Sequence, residues 1–476
     1  MKYSLFSKLS ILAFFIIACA HKTPGENENN NSVKGAALTP AVVEDTFETG
    51  KVITQVICKT DAFKSYALYI PAKENNEVLP VIYFFDPHAD GALPLNKYKA
   101  LADAYHFILI GSNNSKNGND WPTTENIWQA IFADTKNRLK IDTNRIYTCG
   151  FSGGAKVAGY IALNHQQVKG IIANGAGLPD GTPAGNFHFS FTAVAGQGDM
   201  NMTDLVAINN SLDKTQTRHS IIFFDGKHEW APVGTMNIAF AGLQLDAMRG
   251  KLIAKDDAFI NSYTTERKKA ISDFSNAGNF IKAVQQCKLS VSMLDGLTNN
   301  VNGFKEKEAS IERNPVYLLQ CKSQQNIFAT EQKMKEGYMQ QFQQRDINYW
   351  SKTISGLQAK ANATTAEGAM YQRLLAYLSL AFYSISNQLI TANQDEQARY
   401  FVELYKMADA TNSEAWYFSA ILNARSKNAK ATEDDLLKAV ANGFTDKDRM
   451  IQQPEFQGLS AKINFSQIES EMNKLK

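Results

Sequence analysis

The sequence predicts an α/β domain built on a mostly parallel sheet, followed by an all-helical domain. From Val43 to Gly250, short runs rich in β-branched and aromatic residues alternate with amphipathic stretches. Beyond Gly250 recognisable strands stop and long helical segments take over, among them MYQRLLAYLSLAFYSIS and QARYFVELYKMADA. Length agrees, since 476 residues exceed a domain of roughly 100–200.

The N-terminal segment is set apart from both. Lys2 and Lys8 precede SILAFFIIA, about half the roughly 20 apolar residues that a membrane-spanning helix needs, so residues 1–18 read as a cleaved export signal. The sequence IIAC, ending at Cys19, resembles the lipobox of bacterial lipoproteins. That resemblance makes Cys19 the lipidated N-terminus of an exported cell-envelope protein, with membrane contact only through the lipid. Ala18 and Ala20 also fit an ordinary signal-peptidase site, which would leave a soluble periplasmic or secreted protein. Residues 19–42 are polar and read as a flexible tether.

Eight runs then read as strands: KVITQVIC, SYALYI, VIYFFD, FILIG, RIYTCG, KGIIANG, FHFSFTAVAG and HSIIFFDG. A short polar link joins the first two, which are expected to be antiparallel. The later ones are near-continuous apolar runs separated by helices, as in a parallel sheet covered on both faces. Leu95, Tyr98, Leu101, Ala102 and Tyr105 share one helical face, and Ile127, Ile131 and Phe132 share another.

Chemistry enters at CGFSGGAKVAGY, where a strand runs into a helix. Gly150, Ser152 and Gly154 form G-x-S-x-G, and small residues flanking the serine let the backbone turn sharply and expose its hydroxyl. The helix N-terminus and the N–H of Gly153 suit a developing oxyanion. Small residues at such a turn also serve close packing or phosphate binding. A serine hydroxyl is a poor nucleophile until a base takes its proton, so a histidine oriented by a carboxylate is required. His165 falls late in the helix, while His188 and His219 begin strands. His228 follows SIIFFDGK, just past the carboxyl end of the last strand, where active-site loops of a parallel sheet gather. Asp199 lies on the loop after the preceding strand. Asp204 is the reserve choice, at a helix start where a carboxylate has a structural role, and Asp225 is too near His228 in sequence.

With GFSGG, GQGDMN and GKHEW in that order, residues 45–250 resemble the α/β-hydrolases, particularly secreted esterases of the polyhydroxybutyrate-depolymerase and feruloyl-esterase type, related to dienelactone hydrolases. The resemblance implies an α/β-hydrolase fold with a mostly parallel eight-stranded sheet. It also implies Ser152 as nucleophile, Asp199 as orienting acid, His228 as general base, and Trp230 lining the site. One departure stands out. Where such enzymes usually have His-Gly after the strand, this chain reads FFDPHADG. Pro87 has no N–H, so the second oxyanion donor is expected from His88 or Ala89. His88 equally fits an ordinary surface loop.

In the helical part, Tyr405 and Ala408 are echoed by Leu436 and Ala439, near the 34-residue period of tetratricopeptide repeats. Residues 395–460 resemble a degenerate array of that kind; a helical bundle covering the hydrolase is the other reading. Asn314-Pro315 is expected to open one helix and Gly443 to close another. The expected units are therefore 43–250 and 251–476.

Composition removes other classes. Lys and Arg total 49 against 47 Asp and Glu, a net +2 that argues for no nucleic-acid partner. Cys58 and Cys149 lie on expected strands as buried thiols, whereas Cys287 and Cys321 are open to pairing in an exported protein. No metal constellation is visible, and the chemistry calls for no cofactor. The expected function is a serine esterase acting on a small-molecule or polymer ester. A peptidase of prolyl-oligopeptidase type shares the fold and residue order. A non-catalytic scaffold with a protein partner on its helical domain is the third reading.

Overall fold

Eight strands form one sheet: β1 (Ile53–Ile57), β2 (Ser65–Tyr69), β3 (Leu79–Phe85), β4 (Ile108–Ser112), β5 (Ile141–Phe151), β6 (Val168–Asn174), β7 (Ser190–Gly196) and β8 (His219–Phe224). The computed structural model describes residues 46–72, 77–342, 344–361 and 365–474. The expected export signal, Cys19 and the tether lie outside the described residues.

The spatial order is β1-β2-β4-β3-β5-β6-β7-β8. β1 and β2 are antiparallel, as the short link between them requires, and β2 meets β4 antiparallel. From β4 across to β8 every pair is parallel. This is the α/β-hydrolase fold. Because both faces are covered, β2, β3, β4 and β7 are buried at every position.

Helices α1 (Ala92–Tyr105), α2 (Trp121–Arg138), α3 (Gly153–Asn164), α4 (Met202–Leu212) and α5 (Val233–Arg249) alternate with the later strands. On one face α2, α3 and α4 bury Ile127, Trp128, Ile131, Ala158, Ile161 and Leu205 against Val81, Tyr83 and Ile110. At about 1.5–3 kcal/mol for each large apolar side chain removed from water, this face is a major stabilising layer. α1 and α5 cover the opposite face, with Leu95, Tyr98 and Phe240 in its core.

Strands end at β8, but the core does not end at Gly250. α6 (Asp257–Asn276), α7 (Phe280–Leu294) and α8 (Val301–Glu312) add Ile260, Tyr263, Val284, Leu294, Phe304 and Ile311 to the core of the α1/α5 face. The boundary expected at Gly250 marks a change of pattern rather than of packing unit. A separate helical core begins with Tyr338 near the end of α9 (Pro315–Gln341). It continues through α10 (Ile347–Ala361), α11 (Ala366–Thr391), α12 (Asp395–Ala408), α13 (Ser413–Arg425) and α14 (Ala429–Ala441). The last short helices, α15 (Lys447–Gln452), α16 (Pro454–Gln457) and α17 (Phe465–Asn473), complete it.

Local signals explain the helix ends. Asn314 accepts from the Val316 N–H and Pro315 occupies the first turn of α9. Gly443 follows α14 at φ 96°, a left-handed conformation that glycine adopts without penalty. Tyr405 and Ala408 on α12 and Leu436 and Ala439 on α14 are all buried in the helical core. All four described cysteines are free thiols, so Cys287 on α7 and Cys321 on α9 are not bridged.

Candidate active site

β5 delivers its chain end to the carboxyl edge of the sheet, and the next residue is Ser152. Its backbone sits at φ 53° and ψ −123°, a sparsely populated conformation for a residue with a side chain. Two glycines make the turn possible. A Cβ on Gly150 would lie 2.0 Å from the Gly154 carbonyl oxygen, and one on Gly154 would lie 1.9 Å from that of Phe85. Neither backbone neighbour can move without distorting the first turn of α3 or the end of β3. The Ser152 N–H donates to the Asn174 carbonyl at 2.9 Å, tying the elbow to the end of β6. α3 starts at Gly153, so the first N–H groups of this helix have no intrahelical acceptor.

The next two strand ends bring in the rest. Gly196 closes β7 and Phe224 closes β8, and their loops are laced together: the Gln197 N–H reaches the Phe224 carbonyl at 2.9 Å, and the Gly198 N–H reaches that of Gly226 at 2.8 Å. Asp199 follows on the first loop, fully buried, and His228 on the second, with its side chain 20% exposed. His228 Nδ1 lies 3.0 Å from Asp199 Oδ1, and Ser152 Oγ lies 2.9 Å from His228 Nε2. An ionised carboxylate only accepts, so Nδ1 carries the proton and Nε2 is left to accept from the serine hydroxyl. Asp199 Oδ1 also accepts from the Asn201 N–H at 2.8 Å, while Oδ2 is buried with no hydrogen-bond partner among the described residues.

Other candidates are engaged elsewhere. Asp204 is exposed in the first turn of α4. Asp225 pairs with Lys282 at 2.8 Å. His165 faces Glu125, His188 the His165 carbonyl, and His219 Asp213.

The solved structures to which this chain is similar are distant from it in sequence. No family model matches the sequence, and no curated protein matches it. Among solved structures, the chain is similar to a hyperthermophilic esterase from Pyrobaculum calidifontis at 12% identity, covering 42% of this chain and 85% of that one, with a TM-score of 0.34. Fungal esterases from Rhizomucor miehei give 13% identity over 41% and 84%, also at 0.34. An acylaminoacyl peptidase from Pyrococcus horikoshii gives 11% over 42% and 41%, at 0.31. Likenesses at this level carry no statement about activity.

Two sequence expectations are corrected. Trp230 does not line an open site: it is 5% exposed, donates from Nε1 to Asp86 Oδ2 at 2.8 Å, and packs against Phe84, Tyr98 and Phe151. The ring that meets the imidazole is Phe151, 4.7 Å from His228 between centroids. The backbone N–H groups of His88 and Ala89 are spent within their own turn. They donate to Asp86 Oδ1 at 2.8 Å and to the Asp86 carbonyl at 3.2 Å. Asp86 is buried and must be satisfied, and Pro87 contributes no donor, so the turn closes on its own acid. The Asp86 carboxylate also lifts the His88 imidazole above its ordinary pKa.

Three contributors had no clear signal in sequence. Asn174, fully buried, uses its side chain to accept from the Ala231 N–H at 2.8 Å and donate to the Glu229 carbonyl at 3.1 Å, bracketing the histidine loop. A polar residue closing the apolar run KGIIAN was the available hint. Asn117, on the loop before α2, lays its carboxamide over Gly153, where an added Cβ would meet Oδ1 at 1.9 Å. Arg373 of α11 reaches the acid loop from the helical region, its Nη1 donating to the Gln197 carbonyl at 2.7 Å. A cavity of about 290 Å³ between α4 and α9, lined by Thr203, Val206, Phe328, Glu331, Gln332 and Lys335, does not include Ser152.

Proposed function

We propose that this chain is an exported serine hydrolase that cleaves carboxylic esters through an acyl-enzyme. The observation that carries the reading is the continuous hydrogen-bonded series Ser152 Oγ, His228 Nε2, His228 Nδ1 and Asp199 Oδ1, with links of 2.9 and 3.0 Å. A scaffold has no need of a strained serine placed on such a series. Ser152 Oγ attacks the ester carbonyl carbon while its proton passes to His228 Nε2. Asp199 stabilises the imidazolium that forms. The tetrahedral oxyanion accepts from the Gly153 N–H. The imidazolium then protonates the departing alkoxide, and a water deprotonated by His228 releases the acid.

With His88 and Ala89 spent, Asn117 is the group we assign as second oxyanion donor. Its terminal torsion is broad and roughly two-fold, so a half-turn exchanges Oδ1 for Nδ2 beside Gly153. The Asn117 N–H donates to the Pro87 carbonyl at 2.8 Å, which anchors the loop that carries it. Removing one oxyanion donor costs about 10²–10³ in rate, so Asn117→Ala is expected to lose that factor in kcat.

We further assign Cys19 as the lipidated N-terminus and residues 395–460 as a tetratricopeptide-like surface able to take a protein partner. The test of the central reading is a fluorophosphonate probe followed by a panel of acetyl, feruloyl and short-chain esters and the matching amides. Wild type is expected to label and to turn over esters, and Ser152→Ala to do neither while keeping its fold. Undiminished turnover in that variant overturns the assignment.

A further inference from the structure

We propose that Arg373, on α11 of the helical region, is a positioning residue for the Asp199–His228 pair; this rests on the hydrolase reading above. Its guanidinium is 2% exposed and makes two kinds of bond. Nε and Nη2 donate to Glu331 Oε2 of α9 at 2.8 and 2.6 Å, and Nη1 donates to the Gln197 carbonyl at 2.7 Å. Glu331 is equally buried, and its second oxygen lies 2.8 Å from Lys335 Nζ.

Gln197 is two residues before Asp199, and its peptide is held from both sides. On the sheet side Gln197 and Gly198 donate to the carbonyls of Phe224 and Gly226, on the loop that leads to His228. On the helical side the Gln197 carbonyl receives Arg373, and Gln372 fills the space beside Gly198, where a Cβ would meet its Oε1 at 2.3 Å. The loop between β7 and Asp199 is therefore clamped between the histidine loop and α11. Asp199 has to keep Oδ1 on His228 Nδ1 through catalysis, and a shift of about 1 Å at a reacting group costs on the order of 10²-fold in rate.

A purely structural role does not account for the choice of residues. Joining α9 to α11 alone is done as well by an apolar pair of similar volume, which is often neutral or stabilising compared with a buried ion pair. What an apolar pair cannot supply is the donor to Gln197. Lysine keeps the charge beside Glu331 but lacks the fork that serves Glu331 and Gln197 together.

The test compares wild type, the double variant Arg373→Met/Glu331→Leu, and Arg373→Lys, each as the full chain. For each, kcat and KM are measured separately with a short-chain ester, alongside the thermal midpoint and the low-field proton NMR signal of His228 Nδ1–H. Positioning predicts, in the folded double variant, kcat reduced about 10–100-fold with KM unchanged and a shifted or broadened Nδ1–H signal, while its midpoint also carries the loss of the Glu331–Lys335 pair. Arg373→Lys is expected to show the same signature in smaller degree, and it decides the matter should the double variant fail to fold. Wild-type kcat with an unshifted Nδ1–H signal in a folded variant overturns the proposal. Failure of the hydrolase reading is seen separately, as absence of probe labelling in wild type.

Discussion

Asp199 and Asp204 stand five residues apart, yet only Asp199 meets the imidazole. Asp199→Asn preserves shape but offers the wrong hydrogen-bonding partner to His228 Nδ1, so kcat is expected to fall by about 10⁴. Asp204→Asn removes a charge from a helix start and should cost about 1 kcal/mol or less of stability, with nearly normal turnover. A rate collapse in Asp204→Asn with Asp199→Asn active reverses the assignment. His88 gives a pH signature. Its pKa is held above the ordinary 6.5, chiefly by the Asp86 carboxylate, whose Oδ1 lies 3.6 Å from Nδ1. The stabilisation this brings is complete below 6.5, the unfolded value, and disappears as pH rises through the folded value. With 77% of the side chain exposed, solvent screens most of the energy, so the observable is the titration itself. In proton NMR the His88 ring is expected to titrate above 6.5 and to fall toward it in Asp86→Asn; titration at or below 6.5 in wild type contradicts the pairing. Ser152 and His228 were legible because strand ends and turn glycines are local patterns. Asn117 and Arg373 were not, since what matters about each is a neighbour distant in sequence, such as Gln197 for Arg373.

The β5–α3 elbow joins a strained residue to two close backbone approaches, and its glycines differ in what opposes them. At Gly154 an added methyl meets the Phe85 carbonyl, part of β3 paired on both sides, while at Gly153 it meets only the mobile end of the Asn117 side chain. Gly154→Ala is therefore expected to destabilise by about 1–3 kcal/mol or more, seen as a lowered thermal midpoint, because β3, held between β4 and β5, cannot retreat. Gly153→Ala should retain its midpoint and lose rate, because the displaced group is the carboxamide assigned to the oxyanion. Equal midpoints for the two variants contradict this reading of the turn. At this scale the sequence was largely readable: buried parallel strands show as unbroken apolar runs, and all eight lie where those runs are. The turn FFDPHADG was the exception. Proline showed which donor was missing, but not that buried Asp86 would consume both remaining ones, a question of hydrogen-bond satisfaction that only the folded turn answers.

Across the molecule, the sheet and its helices through α8 share the two cores on either face of the sheet, while α10 to α17 gather around a third. α9 spans the division, packing Tyr317 and Phe328 on the sheet cores and Ile327, Met334 and Tyr338 on the helical one. Composition alone put the boundary at Gly250, because the change from alternating strands to continuous helices is visible there, whereas which helix covers which core depends on long-range packing. Separate cores joined by one helix and a few polar bonds should unfold as separate cooperative units. The five tryptophans divide between them: Trp121, Trp128 and Trp230 belong to the sheet part, Trp350 and Trp416 to the helical part. In a Trp350→Phe/Trp416→Phe variant, fluorescence reports the sheet alone. The helical core alone is reported when Trp121, Trp128 and Trp230 are replaced instead. Trp350 is completely buried among Tyr338, Phe342 and Phe382, and a phenylalanine there loses part of that ring packing, so each variant is first referenced to its own circular-dichroism midpoint. Denaturant midpoints of the two reporter sets are then expected to differ within one chain, and Arg373→Met/Glu331→Leu to widen the gap by removing the bond from α11 to the acid loop. Coincident midpoints in every variant would mean that the three cores melt as one, and that the helical region is a structural layer of the sheet domain rather than a unit resting on it.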